Sequence, residues 1–277
     1  MSSANDRSHS TEIAERITRT ISNGTIATLV TLIQGETNVG AKLFVEQDRV
    51  LGSLGSAELN QAVVSRVPSF VEGRDDMAVL NVRDFAPALG DFAGAQLLFE
   101  RIQREPRLVI CGAGHVGAAL ANVASLLGYQ STVIDDRQEF VTRQRFPDPH
   151  IKLVAAADWF EAVREVVSDG LGVSVVIVTR GHSEDEVCMR AVMTNGADYI
   201  GLIGSKRRIR IVLDRLREAG AQAEILDKVR GPIGLDIGAV TPEEVALAIM
   251  AEIVAVRRGG EGGSLSKLKK GKGEGKG

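Results

Sequence analysis

Three glycines, Gly112, Gly114 and Gly117, stand in the phrase Leu108-Val-Ile-Cys-Gly-Ala-Gly-His-Val-Gly117 at the spacing that lets a backbone cradle a phosphate. The first permits a tight turn, the second lets main-chain amides approach a pyrophosphate, and the third lets a helix pack closely on a strand. With His115 and Val116 between them, they would open that helix at its positive dipole end, where free N–H groups attract an anion. Some twenty residues on, at the place of the carboxylate that commonly binds a ribose hydroxyl, the chain reads Asp135-Asp136-Arg137. Arg137 leaves two readings open there: it could accept a 2′-phosphate or pair with the neighbouring carboxylates. Two further stretches fall where strands should end, Thr179-Arg180-Gly181-His182 and Gly204-Ser205-Lys206-Arg207-Arg208. Arg180, Lys206, Arg207 and Arg208 would add positive charge for phosphate or carboxylate groups.

The candidate binding set is therefore Gly112, Gly114, His115, Val116 and Gly117, then Asp135, Asp136 and Arg137, then Arg180, His182, Ser205 and Lys206. No nucleophile elbow, HExxH helix or metal-spaced His/Cys set accompanies them, so neither a catalytic residue nor a metal ligand is assigned. On the residues alone, an NAD(P)-dependent oxidoreductase is one reading, with His182 as its one acid/base candidate.

The elements that must position this set follow from periodicity. Leu108–Cys111, Ser131–Ile134, Ile151–Val154, Val173–Val178 and Tyr199–Ile203 are short apolar runs with helical stretches between most of them. Trp159–Val167, Glu184–Asn195 and Lys206–Glu218 are the clearest of those helices. Such alternation predicts an α/β domain with a parallel sheet and right-handed crossovers. Thr241-Pro-Glu-Glu244 signals the start of a last helix running to about Val256. Before Gln103-Arg-Glu-Pro106, read as a hinge, the pattern is that of a smaller α+β domain. It has a helix over Thr11–Ser22, strands over Ile26–Ile33, Ala41–Val45, Arg49–Leu51 and Met77–Val82, and a helix over Leu59–Val67 ending before Pro68. Gly90–Ile102 fits either helix or strand. The expected organisation is residues 1–100, an α+β domain; 107–258, a Rossmann-like domain; and 259–277, a disordered lysine-rich tail.

The 277 residues are 44% hydrophobic and 25% charged, with a net charge of −3. That balance suits a globular protein and gives no reason to expect nucleic acid or a membrane as partner. Met1–Ser10 is polar and has no apolar region of the kind a secretory signal carries, so none is expected. Cys111 and Cys188 are too few and too far apart for a disulfide framework and read as small buried hydrophobes. A cytoplasmic location is expected.

The second half resembles the xanthine dehydrogenase accessory protein family of XdhC/CoxI type. The resemblance rests on Leu108–Gly117, Val133-Ile-Asp-Asp-Arg137, Thr179-Arg-Gly-His182, Tyr199-Ile-Gly-Leu-Ile-Gly-Ser-Lys-Arg207 and Pro232-Ile-Gly-Leu-Asp-Ile-Gly-Ala-Val-Thr-Pro-Glu-Glu244, in that order. It implies a chaperone rather than an enzyme. Such a protein would bind molybdenum cofactor (molybdopterin or its dinucleotide form), support its sulfuration by a cysteine desulfurase-type sulfurtransferase, and deliver it to a molybdenum hydroxylase apoenzyme. It also implies a homodimer. The first half departs from the family pattern. Gly40-Ala41-Lys42 is kept without a preceding Pro-Arg pair, and Glu58 stands where a Cys or Ala is common. A carboxylate is no soft ligand, so that position cannot offer a thiol to molybdenum or sulfur.

Overall fold

The computed structural model describes residues 2–47, 49–73 and 75–268. They form two compact units that divide between Arg104 and Glu105. The lysine-rich tail lies outside the described residues from position 269 onward.

The first unit contains α1 (Ser2–Asn23), β1 (Ala27–Gln34), β2 (Lys42–Glu46), β3 (Arg49–Gly52), α2 (Ala57–Glu72), β4 (Met77–Asn81), α3 (Val82–Phe85) and β5 (Gln96–Ile102). Its sheet is antiparallel, in the order β3-β2-β1-β5-β4. Alternation along the strands sends Val30, Leu43, Leu97 and Phe99 to the face covered by Val63, Val67 and Phe70 of α2. The opposite residues, Ala27, Leu29 and Phe44, meet Ile13 of α1. Two expectations are corrected here. The ambiguous stretch before the hinge is a short 3-10 turn (Gly90–Phe92) followed by strand β5. Helix α2 does not stop before Pro68 but continues to Glu72. A proline inside a helix removes one backbone bond and costs about 3 kcal/mol. The burial of Val67 and Phe70 on either side offsets that cost. Arg101, from β5, also donates to the carbonyls of Val71 and Gly73 at 2.8 Å, holding the end of the helix.

The second unit contains β6 (Arg107–Cys111), α4 (His115–Leu126), β7 (Gln130–Asp135), β8 (Lys152–Ala155), α5 (Trp159–Val167), β9 (Val173–Ile177), α6 (His182–Asn195), β10 (Tyr199–Leu202), α7 (Lys206–Glu218), α8 (Ala223–Leu226), β11 (Val229–Arg230), α9 (Pro242–Arg258) and α10 (Leu265–Leu268). All six strands are parallel, in the order β11-β10-β9-β6-β7-β8. Counted from β6, this is the 3-2-1-4-5-6 order of dinucleotide-binding sheets, and the order reverses between β6 and β9. Both faces are buried, as near-continuous apolar strands require. Val163, Met189, Val192 and Val212 of α5, α6 and α7 pack on Val109, Val175 and Ile177. Leu120, Ile249, Met250 and Ile253 of α4 and α9 pack on Leu108, Ile110 and Val133. Among the described residues no helix is long and apolar enough to cross a membrane.

Helix α9 begins as its sequence predicts. The Thr241 hydroxyl accepts from the Glu244 amide at 3.3 Å, and Glu244 accepts in return from the Thr241 amide at 2.9 Å. Removing such a cap typically costs about 1 kcal/mol. Thr241→Ala should therefore lower the melting temperature of this unit by roughly 2–4 °C. An unchanged melting profile would mean that the reciprocal cap contributes nothing.

Candidate functional site

In an open α/β sheet the ligand crevice lies beyond the carboxyl ends of the strands, where their order reverses. Here that point is flanked by the turns leaving β6 and β9. The first turn is built by close approach. Gly112 has φ +121°, and a Cβ on it would lie 2.5 Å from the Val178 carbonyl oxygen. At Gly117 a Cβ would lie 1.9 Å from the Gly112 carbonyl oxygen, so the first turn of α4 rests directly on the glycine turn. Gly114 differs from both. It is the N-cap of α4, has an ordinary φ of −68°, and has no atom within 4 Å of the place a Cβ would occupy.

That N-terminus has no cap of its own, though the Asp135 carboxylate accepts from the amide of Ala113 just before it, at 2.7 Å. No side chain caps α4, and no acidic residue stands in its first turn. Helix α6 also starts from a glycine, Gly181, without a side-chain cap, but carries Glu184 and Asp185 in its first turn. Helix α7 is capped by Ser205, which accepts from the Arg208 amide at 3.2 Å. The first turn of α4 is thus the one among the three left open to an external anion. His115 and His182 are exposed first residues of α4 and α6, while Val116 is half-buried.

The carboxylate after β7 has an occupation that its sequence position did not reveal. Asp135 is 1% exposed. Its Oδ2 accepts from the Ala113 amide at 2.7 Å and from Arg137 Nη2 at 2.8 Å. Its Oδ1 accepts from the Arg137 amide at 3.0 Å and from Arg137 Nε at 2.8 Å. Burial pushes its pKa up, but the Arg137 guanidinium and the two amides outweigh this and hold it down at about 2. Of the two readings of Arg137, the structure therefore shows pairing with the neighbouring carboxylate. The sign of the linkage follows. A carboxyl bound more tightly as an anion in the folded chain lends stability above its ordinary range and loses it as the pH falls from about 4 towards 2. The shift approaches two units at ~1.4 kcal/mol each, so this one group should account for about 2 kcal/mol. Chemical denaturation of the wild type and Asp135→Asn at a series of pH values checks this: the wild type should lose that increment between pH 4 and 2, and the variant should not.

The remaining charges are partly consumed within the unit, which corrects the expectation of four cations available to a ligand. Arg180 pairs with Asp136 at 2.7 Å and lies 3.6 Å from Glu184. Arg208 pairs with the fully buried Asp185 at 2.6 Å and donates to the Thr179 carbonyl at 3.2 Å. The Thr179 hydroxyl lies 2.6 Å from Asp185 Oδ1 and 3.0 Å from the Gly181 carbonyl. These bonds fix the turn after β9, the same backbone against which Gly112 packs. Lys206 and Arg207 are exposed at the start of α7. Sequence reasoning missed Arg145. It donates from Nη2 to the Ala113 carbonyl at 2.9 Å. Its guanidinium carbon lies 4.5 Å from the centre of the Phe140 ring, with that of Arg137 at 3.7 Å from the same ring.

In the first unit, Glu58 lies in the first turn of α2 and accepts from the cap residue Ser56. Lys42 donates to Thr31 at 3.1 Å. Asn60 accepts from the Leu54 amide at 2.8 Å and donates to Ser53 at 3.0 Å, bracing the glycine-containing loop before the helix.

A parallel sheet in this strand order, with a glycine turn at its reversal point, defines a Rossmann unit. The chain belongs to the XdhC Rossmann domain family, whose model matches residues 108–253. It is 32% identical to the uncharacterized protein YqeB of Escherichia coli K12 over 240 residues, covering 82% of this chain and 42% of that protein. It is 28% identical to a probable xanthine dehydrogenase subunit of Bacillus subtilis 168 over 162 residues, covering 58% of this chain and 46% of that one. The chain thus spans less than half the length of either relative. A crystal structure of a xanthine dehydrogenase from Bacillus halodurans superposes with a TM-score of 0.62 at 20% identity, covering 94% of this chain and 69% of that one, and so shares the fold.

Proposed function

We propose that this protein binds molybdenum cofactor through the phosphate end of its pterin and holds it for insertion into a molybdenum hydroxylase of xanthine dehydrogenase type. The observation that carries this reading is the α4 N-terminus: a helix start without a side-chain cap or an acidic residue in its first turn, with open space over Gly114, at the reversal point of the sheet. Such a site binds an anion without needing catalytic groups. Family membership and the similarity to a probable xanthine dehydrogenase subunit support the choice of cargo and client. The protein acts as a carrier. A cysteine desulfurase-type sulfurtransferase supplies the sulfur, the cytoplasm is the compartment, and the carrier works as a homodimer.

The test is reconstitution. The protein is loaded with cofactor released from a molybdoenzyme, freed of excess, and mixed with a xanthine dehydrogenase apoenzyme. Activation beyond that given by the free cofactor supports the reading. No retention of cofactor on the protein overturns it. Size-exclusion chromatography with light scattering tests the dimer, and a monomer at micromolar concentration contradicts it.

A further inference from the structure

The first unit holds a cavity of about 370 Å³ within its own residues, between one face of α2 and the end of β4 with α3. Helix α2 buries Leu59, Val63, Val67 and Phe70. Ser65 and Arg66 lie four and three residues before Ser69, so the three share an adjoining face, and they line the cavity. Leu80, Asp84 and Phe85 line it from β4 and α3. The Phe85 ring stands edge-on to Phe99, 6.3 Å between centroids, so this apolar wall continues into the core of the unit.

The charges in the cavity are unmatched. Arg66 Nη1 donates to the Ser69 hydroxyl at 2.9 Å, and its Nε is buried with no acceptor. The Ser65 and Ser69 hydroxyls donate to the Gln61 and Arg66 carbonyls, both at 3.0 Å. Asp84 accepts from Asn81 at 2.9 Å and lies 3.7 Å from Arg83 Nε, and it does not pair with Arg66. The Nε–Nη2 edge of a guanidinium is a fork that matches the two oxygens of a carboxylate. Among the described residues nothing fills that edge of Arg66. Asp84 keeps acceptor positions beyond the one that Asn81 occupies. A dianion on Arg66 would set its second charge against Asp84. A ligand with one carboxylate and one ammonium answers both groups, and Leu80 and Phe85 suit an apolar body.

We propose that this cavity binds an apolar amino acid as its zwitterion, with the carboxylate on Arg66, the ammonium on Asp84 and the side chain against Leu80 and Phe85. Arg66 is the stronger determinant. Its Nε is buried, whereas the Asp84 side chain is 62% exposed and its pairing with an ammonium is screened by water. The site lies wholly in the first unit and does not depend on cofactor carriage.

The experiment titrates the full chain with L-phenylalanine, hydrocinnamate and phenethylamine, followed by nuclear magnetic resonance of assigned amides. L-phenylalanine is expected to shift amides of α2, β4 and α3. Phenethylamine lacks the carboxylate and should bind at least about tenfold more weakly, the effect of a hydrogen bond to a charged group. Hydrocinnamate lacks the ammonium and should bind about two- to fivefold more weakly, the effect of an exposed ion pair. Arg66→Gln should weaken L-phenylalanine by about tenfold, Arg66→Lys should recover part of that, and Asp84→Asn should cost the smaller factor. Melting profiles without ligand establish that each variant is folded, and the two fragments decide the question for the wild type alone. The inference is overturned if L-phenylalanine does not bind or shifts amides elsewhere, if either fragment binds as tightly, or if a folded Arg66→Gln chain binds it like the wild type.

Discussion

Gly117→Ala should cost the Rossmann unit about 3 kcal/mol or more, at the upper end for an overpacked site, whereas Gly114→Val should leave its stability unchanged and abolish ligand binding. The two glycines sit three residues apart in one turn, yet their surroundings differ. A methyl on Gly117 meets a backbone carbonyl at 1.9 Å, and backbone cannot rotate aside as a side chain would. Relief requires α4 to lift from β6, and α4 carries Leu120 and Ala124 into the core. A side chain on Gly114 meets nothing, and its φ of −68° is one that valine adopts readily. That side chain enters the open space beside the start of α4. Calorimetry of the full chain should show the Gly117→Ala transition lowered by roughly 6–12 °C and the Gly114→Val transition unmoved. A cofactor-binding titration should show the reverse order of damage for Gly114→Val. If Gly114→Val binds cofactor like the wild type, the α4 N-terminus is not the phosphate site.

Asp185→Ala should have a comparable cost, again about 3 kcal/mol. Asp185 is fully buried and joins three things: the Thr179 hydroxyl, the Arg208 guanidinium and the first turn of α6. Burial pushes its pKa up against the opposing pull of Thr179 and Arg208, so its charge depends on those partners. Removing the carboxylate leaves Arg208 half-buried without its counter-ion and opens a void beneath the turn. The figure belongs to the lower part of the range for broken buried pairs because Arg208 keeps some access to water. Thr179 adjoins the Val178 carbonyl against which Gly112 packs, so ligand affinity should fall along with stability. Thermal unfolding in the presence and absence of ligand reads both effects. A loss below about 1 kcal/mol, the level of an exposed ion pair, would show that the network does not hold the turn.

The second unit was legible in the sequence to the extent that local pattern determines it. Leu108–Cys111 is continuously apolar because β6 is buried on both faces, and Gly112 and Gly117 announce a turn that tolerates no Cβ. The helix start at Pro242 was visible from its cap, Thr241, and Lys206–Glu218 from its periodicity. What was not legible depends on contacts between distant segments. The two-residue strand β11 exists only by pairing Val229 and Arg230 with β10. Too short for a periodic signal, it was not anticipated. Pro68 looked like a terminator because the flanking burial of Val67 and Phe70 and the Arg101 contacts come from tertiary packing.

The candidate site was legible as a set of loops but not as a circuit. Nothing in Asp135-Asp136-Arg137 says that Arg137 folds back on Asp135 while Asp136 reaches Arg180, 44 residues away. Nor does spacing mark Arg145, which reaches the glycine turn from an irregular segment 32 residues later. Cations that all looked available became distinguishable only when their carboxylate partners were placed. The carboxylate read as a ribose partner, Asp135, is bonded within the unit to Ala113 and Arg137.

Cofactor carriage at the α4 N-terminus is tested most directly by titrating molybdenum cofactor into the wild-type chain and Gly114→Val, with melting profiles recorded on the same samples. Saturable binding to the wild type, none to the variant, and superimposable melting curves without ligand are the predicted results. Binding that persists in a folded Gly114→Val chain, or a wild-type chain that binds no cofactor, would contradict that role.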